Sequence, residues 1–329
     1  MFCAFSRTLP SAGERSIEAN STSLYELTVI AINTVFDNPI SMELRVVRNA
    51  LVVDADQDLK DLLVGVLDPS LWAIRYVPTN SVALQAAEAK TFELIITSER
   101  TSGREDVELL RRIRLVHPHT RLIMLAGEST PADVLEAIRD RAFSFFSKPY
   151  SREQLRQMIQ LATEAPCWDD GIELLSSTPE WIQLEVRCHL QTADRLLQFL
   201  KEISDLPETE QEQVGTALRE LLLNAMEHGG GLDPESYVRL EYVRAQRMVS
   251  CRIADPGPGF TLDEIPHAAV ANPDHDPVQH ARVRDELGLR PGGFGILMAR
   301  QMVDQVLYGQ DGNEVLLIKY LDQQESKTA

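Results

Sequence analysis

From Ala50 onward the chain alternates short apolar runs with longer stretches of helical period. Residues 51–53, 73–77, 94–96, 122–125 and 144–146 are apolar runs of strand length. Residues 57–67, 81–89, 107–116, 131–139 and 152–161 follow them in turn with apolar positions at helical spacing. Five strand–helix alternations predict an α/β domain over residues 46–162, a doubly wound parallel sheet with helices on both faces. Runs such as residues 51–53, 94–96 and 122–125 are continuously apolar rather than alternating, as burial on both faces requires. Residues 163–178 are irregular and turn-rich and read as a linker. Trp168 and Trp181 flank it, either as docking aromatics between domains or as a satellite core contact.

A different pattern, with helix and strand signals mixed, follows over residues 179–322. Leu218, Leu221, Leu222 and Ala225 form the apolar stripe of one helix, leaving Glu220, Asn224 and His228 on its polar face. Val249, Cys251 and Ile253 alternate as a strand that runs into Asp255. Residues 296–303 have a helical period directly after a glycine turn. Residues 261–291 hold four prolines and three histidines with no sustained period, a long loop of the functional or mobile kind without a scaffold. Asp274, His275, Asp276 and His280 fall in that stretch. Their loose spacing favours an exposed loop over a metal cluster. Residues 1–41, rich in Ser, Glu and Asn in part, read as a disordered extension without chemistry, and residues 323–329 as a tail.

Bulk properties narrow the function. A net charge of −18 over 329 residues argues against a nonspecific nucleic-acid surface and against anionic lipid. No apolar run approaches the ~18 residues of a membrane span, and the first residues lack the pattern of a signal peptide. Cys3, Cys167, Cys188 and Cys251 are far apart, which suits reduced thiols in a cytoplasmic protein.

Three segments carry candidate chemistry. Glu220 and Asn224 lie one turn apart on a helix, with His228 a further turn on. Asp255-Pro-Gly257-Pro-Gly259 is an acidic, glycine-flanked loop, and Gly292-Gly293-Phe294-Gly295 opens a helix whose first N–H groups suit phosphate. An amide oxygen together with substrate phosphates is a plausible shell for Mg²⁺, and a carboxylate in reach of a hydroxyl serves as a general base. His228 has two readings, a helix C-terminal cation or a phosphate contact, with capping grounds favouring the first. Arg290 beside the glycine turn has the donor fork to touch a γ-phosphate.

These three segments resemble the motifs of the GHKL (Bergerat-fold) ATPases, and among them the anti-sigma-factor serine kinases. The resemblance covers roughly residues 178–321 and implies an α+β domain, a Bergerat-type α/β sandwich that binds ATP and Mg²⁺, with residues 261–291 as the lid over the nucleotide. It implies that Asn224 helps hold the metal and that Asp255 accepts from the adenine amino group. Gly257 and Gly259 would let the backbone approach the base, Gly293 and Gly295 would border the phosphates, and Glu220 would be the catalytic base.

The first domain resembles a response-regulator receiver, with a flavodoxin-like sheet. Asp54 at the end of the first strand and Lys148 before Pro149 match its acidic ligand and its lysine, and Asp56 is a second carboxylate nearby. The departures are larger. Ser98 stands where receivers carry the phosphoacceptor aspartate, and Ala55 and Ala126 replace a further acid and the fourth-strand hydroxyl. A neutral serine without a carboxylate cluster is a poor phosphoryl acceptor, so a phosphorylation-independent interaction domain is expected.

Together the two resemblances imply an ATP-dependent switch kinase, acting on a serine or threonine of an anti-anti-sigma-type antagonist and regulating a sigma factor or similar partner. The alternative is a non-catalytic adaptor in which ATP stabilises a partner-binding conformation. A histidine kinase would need a dimerisation helix bearing a phosphoacceptor. Between residues 162 and 212 the only histidine is His189, with no paired heptads, so that reading is set aside. The anti-sigma resemblance allows a homodimer, and the sequence itself does not fix the oligomeric state.

Overall fold

The computed structural model describes residues 47–98, 103–127, 129–164, 171–178, 180–261, 265–273, 275–288 and 293–321. The amino-terminal extension, Trp168, Asp274, Arg290 and the tail after Leu321 lie outside the described residues.

The first domain runs β1(Arg48–Val53), α1(Gln57–Val66), β2(Trp72–Val77), α2(Asn80–Ala89), β3(Leu94–Ile96), α3(Gly103–Val116), β4(Arg121–Ala126), α4(Pro131–Arg139), β5(Ser144–Ser147) and α5(Arg152–Glu164). Its five strands are parallel in the order β2-β1-β3-β4-β5, the doubly wound arrangement the apolar runs predict. Strand residues divide between two cores. Leu51, Val53, Ile95 and Met124 face α2, α3 and α4, whereas Val52, Leu94, Ile96 and Leu125 face α1 and α5. Helix starts follow from local chemistry. The Asp56 carboxylate accepts from the Leu59 amide, and Thr130 and Asp133 form a reciprocal capping box with Pro131 at the first turn.

The second domain continues with β6(Ile172–Thr178), β7(Trp181–Arg187), α6(Leu190–Ser204), α7(Glu208–Asn224), β8(Tyr237–Ala245), β9(Met248–Ala254), α8(Gln279–Glu286), α9(Gly295–Met302), β10(Gln305–Tyr308) and β11(Glu314–Tyr320). Its six strands are antiparallel, ordered β10-β11-β9-β8-β7-β6, with α6, α7 and α9 covering one face. This is the α+β sandwich expected from the sequence.

Three features differ from the sequence reading. Ile172–Thr178, inside the expected linker, forms β6. Its alternation is broken by a bulge between Leu174 and Ser176, which hides the strand among turn-type residues. The lid stretch holds a 3₁₀ turn at Ala269–Ala271 and the helix α8. His280, expected in an exposed lid, is 1% exposed. Its backbone N–H donates to Asn272 Oδ1 at 2.8 Å and its ring meets the Phe294 ring edge-on at 4.6 Å. A single buried histidine at the start of a polar helix gives no periodic signal, so sequence patterning passes over it.

The two domains share an interface built on α6. Strand β5 is the last of its sheet, and α6 lies along its open edge. Arg195 donates to the carbonyls of Phe143 (2.8 Å) and Ala142 (3.3 Å) and stacks over the Phe143 ring. Gln198 donates to the Phe145 carbonyl at 2.9 Å. Glu202 accepts from the Ser147 amide at 3.0 Å and from its hydroxyl. Trp181 is 36% exposed, at the start of β7.

Candidate functional site

Helix α7 presents Val214, Ala217, Leu218, Leu221 and Leu222 to the core, which leaves Glu220 and Asn224 partly exposed on its other side. A π-turn over Ala225–Gly229 continues the helix, with the Gly230 amide donating to the Ala225 carbonyl at 2.9 Å. Such a turn inserts one residue into the helical repeat and is common at functional sites. Here it carries Gly229 onto Asp255: a Cβ on Gly229 would lie 2.0 Å from Asp255 Oδ1. His228 is exposed within this turn.

Asp255 leaves the end of β9, anchored by its amide to the Asn313 carbonyl at 2.9 Å. Its carboxylate accepts from the Gly257 amide at 2.9 Å. Burial holds the Asp255 carboxyl above the usual carboxylate range, opposed by that Gly257 bond. Gly259 adopts φ +78°, and a Cβ there would stand 1.7 Å from the Asp311 carbonyl oxygen. The glycine is thus required by packing against the β10–β11 turn, a reason distinct from the approach to a base expected from the sequence.

Gly295, the first residue of α9, faces the α7 residues directly. A Cβ on it would lie 2.7 Å from Glu220 Oε2 and 3.5 Å from Asn224 Nδ2. Gly293 adopts φ +87° with the His267 carbonyl 2.6 Å from its would-be Cβ. Glu220, Asn224 and the glycine turn therefore converge from separate parts of the chain.

Asn224, His228, Asp255, Gly259, Gly293 and Gly295 line a cavity of about 240 Å³. Its walls also include Ile265, Phe260, Tyr308 and Ile296, which are apolar or aromatic. Sequence patterning missed two basic residues here, His267 and Arg284. Arg284 Nη1 donates to the His267 carbonyl at 3.4 Å, beside the glycine turn. Burial lowers the His267 pKa, and the charges of Arg284 and His228 lower it further. Three basic groups thus stand near one another at the cavity. The signal for Arg284 was the helical segment inside the lid, which the prolines before it obscured.

In the first domain, Asp54, Ser98 and Lys148 follow the ends of β1, β3 and β5, on the side where open α/β sheets bind ligands. Asp54 has φ 47°, a left-handed conformation unusual outside glycine. Asp56 is engaged as the cap of α1. Ser98 is buried and Lys148 exposed. Among the described residues, no group of three or more His, Cys, Asp or Glu side chains is placed to hold a metal. No described helix is long and apolar enough to cross a membrane.

Comparison with known proteins agrees with this anatomy. Residues 50–160 match the response regulator receiver domain, and residues 182–319 match the histidine kinase-like ATPase domain. The chain is a receiver domain followed by a histidine kinase-like ATPase domain of GHKL type. Among curated relatives, the C4-dicarboxylate transport transcriptional regulatory protein DctD of Rhizobium meliloti is 23% identical over 171 residues, 48% of this chain and 35% of that protein. The response regulator protein PilR of Pseudomonas aeruginosa is 25% identical over 115 residues, 35% of this chain and 26% of that protein. The chain thus spans only about a third and a quarter of the length of these relatives. A solved CheY-like receiver domain protein from Methanospirillum hungatei is 21% identical, with a TM-score of 0.31 over 35% of this chain and 91% of that one. The ATPase match implies ATP binding, and the receiver match a role in signalling through protein partners.

Proposed function

We propose that this protein is an ATP-dependent signalling regulator whose second domain transfers the γ-phosphoryl group of ATP to a serine or threonine of an antagonist protein, of the anti-anti-sigma type, and so controls a sigma factor or similar partner. The observation that carries the reading is the meeting of Glu220 and Asn224 with Gly295 at the head of α9. A carboxylate and an amide at a glycine turn fit the reacting end of a nucleotide. Asp255, at the other side of the cavity, has the acceptor that an adenine amino group needs. Arg284 supplies positive charge for phosphates, and the rings of His267 and His228 stand beside it at the cavity.

In the transfer, the substrate hydroxyl oxygen forms a bond to the γ-phosphorus as the bond to the β–γ bridging oxygen breaks and ADP departs. The Glu220 carboxylate takes the hydroxyl proton. Mg²⁺ would neutralise the phosphate charge, with the Asn224 side chain as one protein ligand. Arg284, on helix α8 beside Gly293, adds its fork of donors. Receiver residues Asp54, Asp56, Ser98 and Lys148 take part in signalling without phosphoryl chemistry in this scheme.

The test is ATP turnover by the full chain, measured as phosphate or phosphoprotein formation, for the native protein and Glu220→Gln. A fall of about 100-fold or more, with nucleotide affinity within a few-fold, is expected for loss of a general base. Equal turnover in the two proteins removes Glu220 from the reaction. Absent turnover in both, with binding retained, favours a nucleotide-stabilised adaptor.

A further inference from the structure

Three polar residues of α6 meet β5 at a matching rhythm. Arg195, Gln198 and Glu202 are spaced by three and four, the repeat of one helix face. Their partners are the carbonyls of Phe143 and Phe145 and the amide of Ser147, spaced by two along one strand edge. All three side chains are confined: Arg195 and Gln198 are buried, and burial raises the Glu202 pKa against the bonds it accepts from Ser147. Glu202 is further held by Gln198 Nε2 at 2.8 Å. The last rung is the informative one, because Ser147 directly precedes Lys148 at the ligand-binding end of the receiver sheet.

The other side of α6 is apolar. Leu196, Phe199, Leu200 and Ile203 belong to the same core as Leu218, Leu221 and Leu222 of α7, and the Lys201 carbonyl accepts from Gln211 of α7 at 3.0 Å. Helix α7 carries Glu220 and Asn224, which face Gly295. One helix therefore touches the end of β5 with its polar face and the nucleotide-site helix with its apolar face. Close-packed interiors transmit displacements of this kind.

We propose that Glu202 is a positioning residue through which the receiver acts on the ATPase of the same chain: the state of the β5–Lys148 corner sets α6, and α6 sets the placement of Glu220 and Asn224 on α7. The receiver is then a built-in regulator of its neighbour, and its β5 edge is committed to that task.

The test is amide hydrogen exchange on the full chain without nucleotide, so that it stands apart from the ATP-binding reading. Ser147→Ala removes one donor to Glu202, and Glu202→Gln removes the charge. Neither change touches the nucleotide cavity. Arg139→Ala serves as the control, since Arg139 donates to Ser177 Oγ at 2.6 Å across the same interface without using α6. In both α6-directed variants, exchange over residues 217–224 of α7 should change about fivefold, the low end of ordinary coupling between sites. The Arg139→Ala protein should leave that segment unchanged. Changes confined to β5 and α6 would reduce the ladder to a structural joint and overturn the proposal. An equal change in Arg139→Ala would overturn it too, by showing general loosening of the interface. Either α6-directed variant suffices if the other fails to fold.

Discussion

Replacing Gly259 by alanine tests the claim that the acidic loop is held by packing against the β10–β11 turn. At φ +78° an L side chain is disfavoured by about 1–2 kcal/mol. The new Cβ would lie 1.7 Å from the Asp311 carbonyl oxygen, whereas ordinary contact begins at 3.4 Å, so the two loops must part by at least the 1.7 Å difference. Both neighbours are backbone, and neither can rotate aside. A shift of that size breaks the 2.9 Å bond from the Asp255 amide to Asn313 and the 3.4 Å bond from Asn313 Nδ2 to the Gly257 carbonyl. Each is a net loss of about 0.5–1.5 kcal/mol. The total is about 2–5 kcal/mol, or about 4–20 °C in melting temperature for a domain of this size. Gly231→Ala is the matched control, because Gly231 has φ +63° and no atom within 4 Å of its would-be Cβ. It should lose only the conformational part, about 1–2 kcal/mol. Differential scanning calorimetry of both variants gives the answer. If Gly259→Ala melts no lower than Gly231→Ala, the loop–loop contact contributes nothing.

Three further outcomes are expected. Gly295→Ala places its Cβ 2.7 Å from Glu220 Oε2, a flexible tip that can turn away; melting should move little, while turnover should fall about 10–100-fold from the displaced carboxylate, as a stopped-time phosphate assay would show. Because burial raises the Asp255 pKa, the free protein takes up a proton there at a higher pH than an ordinary carboxylate; an adenine amino group needs the ionised form, so affinity for an ATP analogue should fall by up to about tenfold per pH unit below that pKa, and calorimetry on Asp255→Asn should show weaker binding without this pH slope. Incubation with acetyl phosphate and Mg²⁺ should leave the intact mass unchanged, since Ser98 is neutral and buried and Asp56 is engaged as a helix cap; a phosphoryl adduct at Ser98 or Asp54 would return the receiver to ordinary phosphorelay chemistry.

The receiver fold was readable in the sequence because strands buried on both faces, such as Leu94–Ile96 and residues 122–126 of β4, are continuously apolar and alternate with helices. The meeting of Glu220, Asn224 and Gly295 was anticipated from three short motifs, since each sits where an element begins or ends. Strand β6 escaped notice because its bulge breaks the alternation that marks a strand. Helix α8 and the buried His280 escaped because their burial depends on Asn272 and Phe294, partners that no local window contains. Arg195, Gln198 and Glu202 are polar, and nothing in the local pattern marks them for burial. The open edge of β5, fixed by the order of the strands, explains why Arg195 and Gln198 are buried and Glu202 half-buried.

That covered edge bears on how the protein can be taken apart. An unpaired edge strand is a template for pairing with other chains, and charged or helical cover is a common protection. Severing the chain between α5 and β6 would strip α6 from β5 and bare the Phe143 and Phe145 carbonyls beside a cluster of phenylalanines. A receiver fragment prepared in this way would self-associate through the fresh edge, and its dimers would report the scissors rather than the signalling pathway. The complementary fragment would hold Arg195 and Glu202 on a solvated helix with their strand gone. In this protein the receiver and the ATPase are two folds but a single surface.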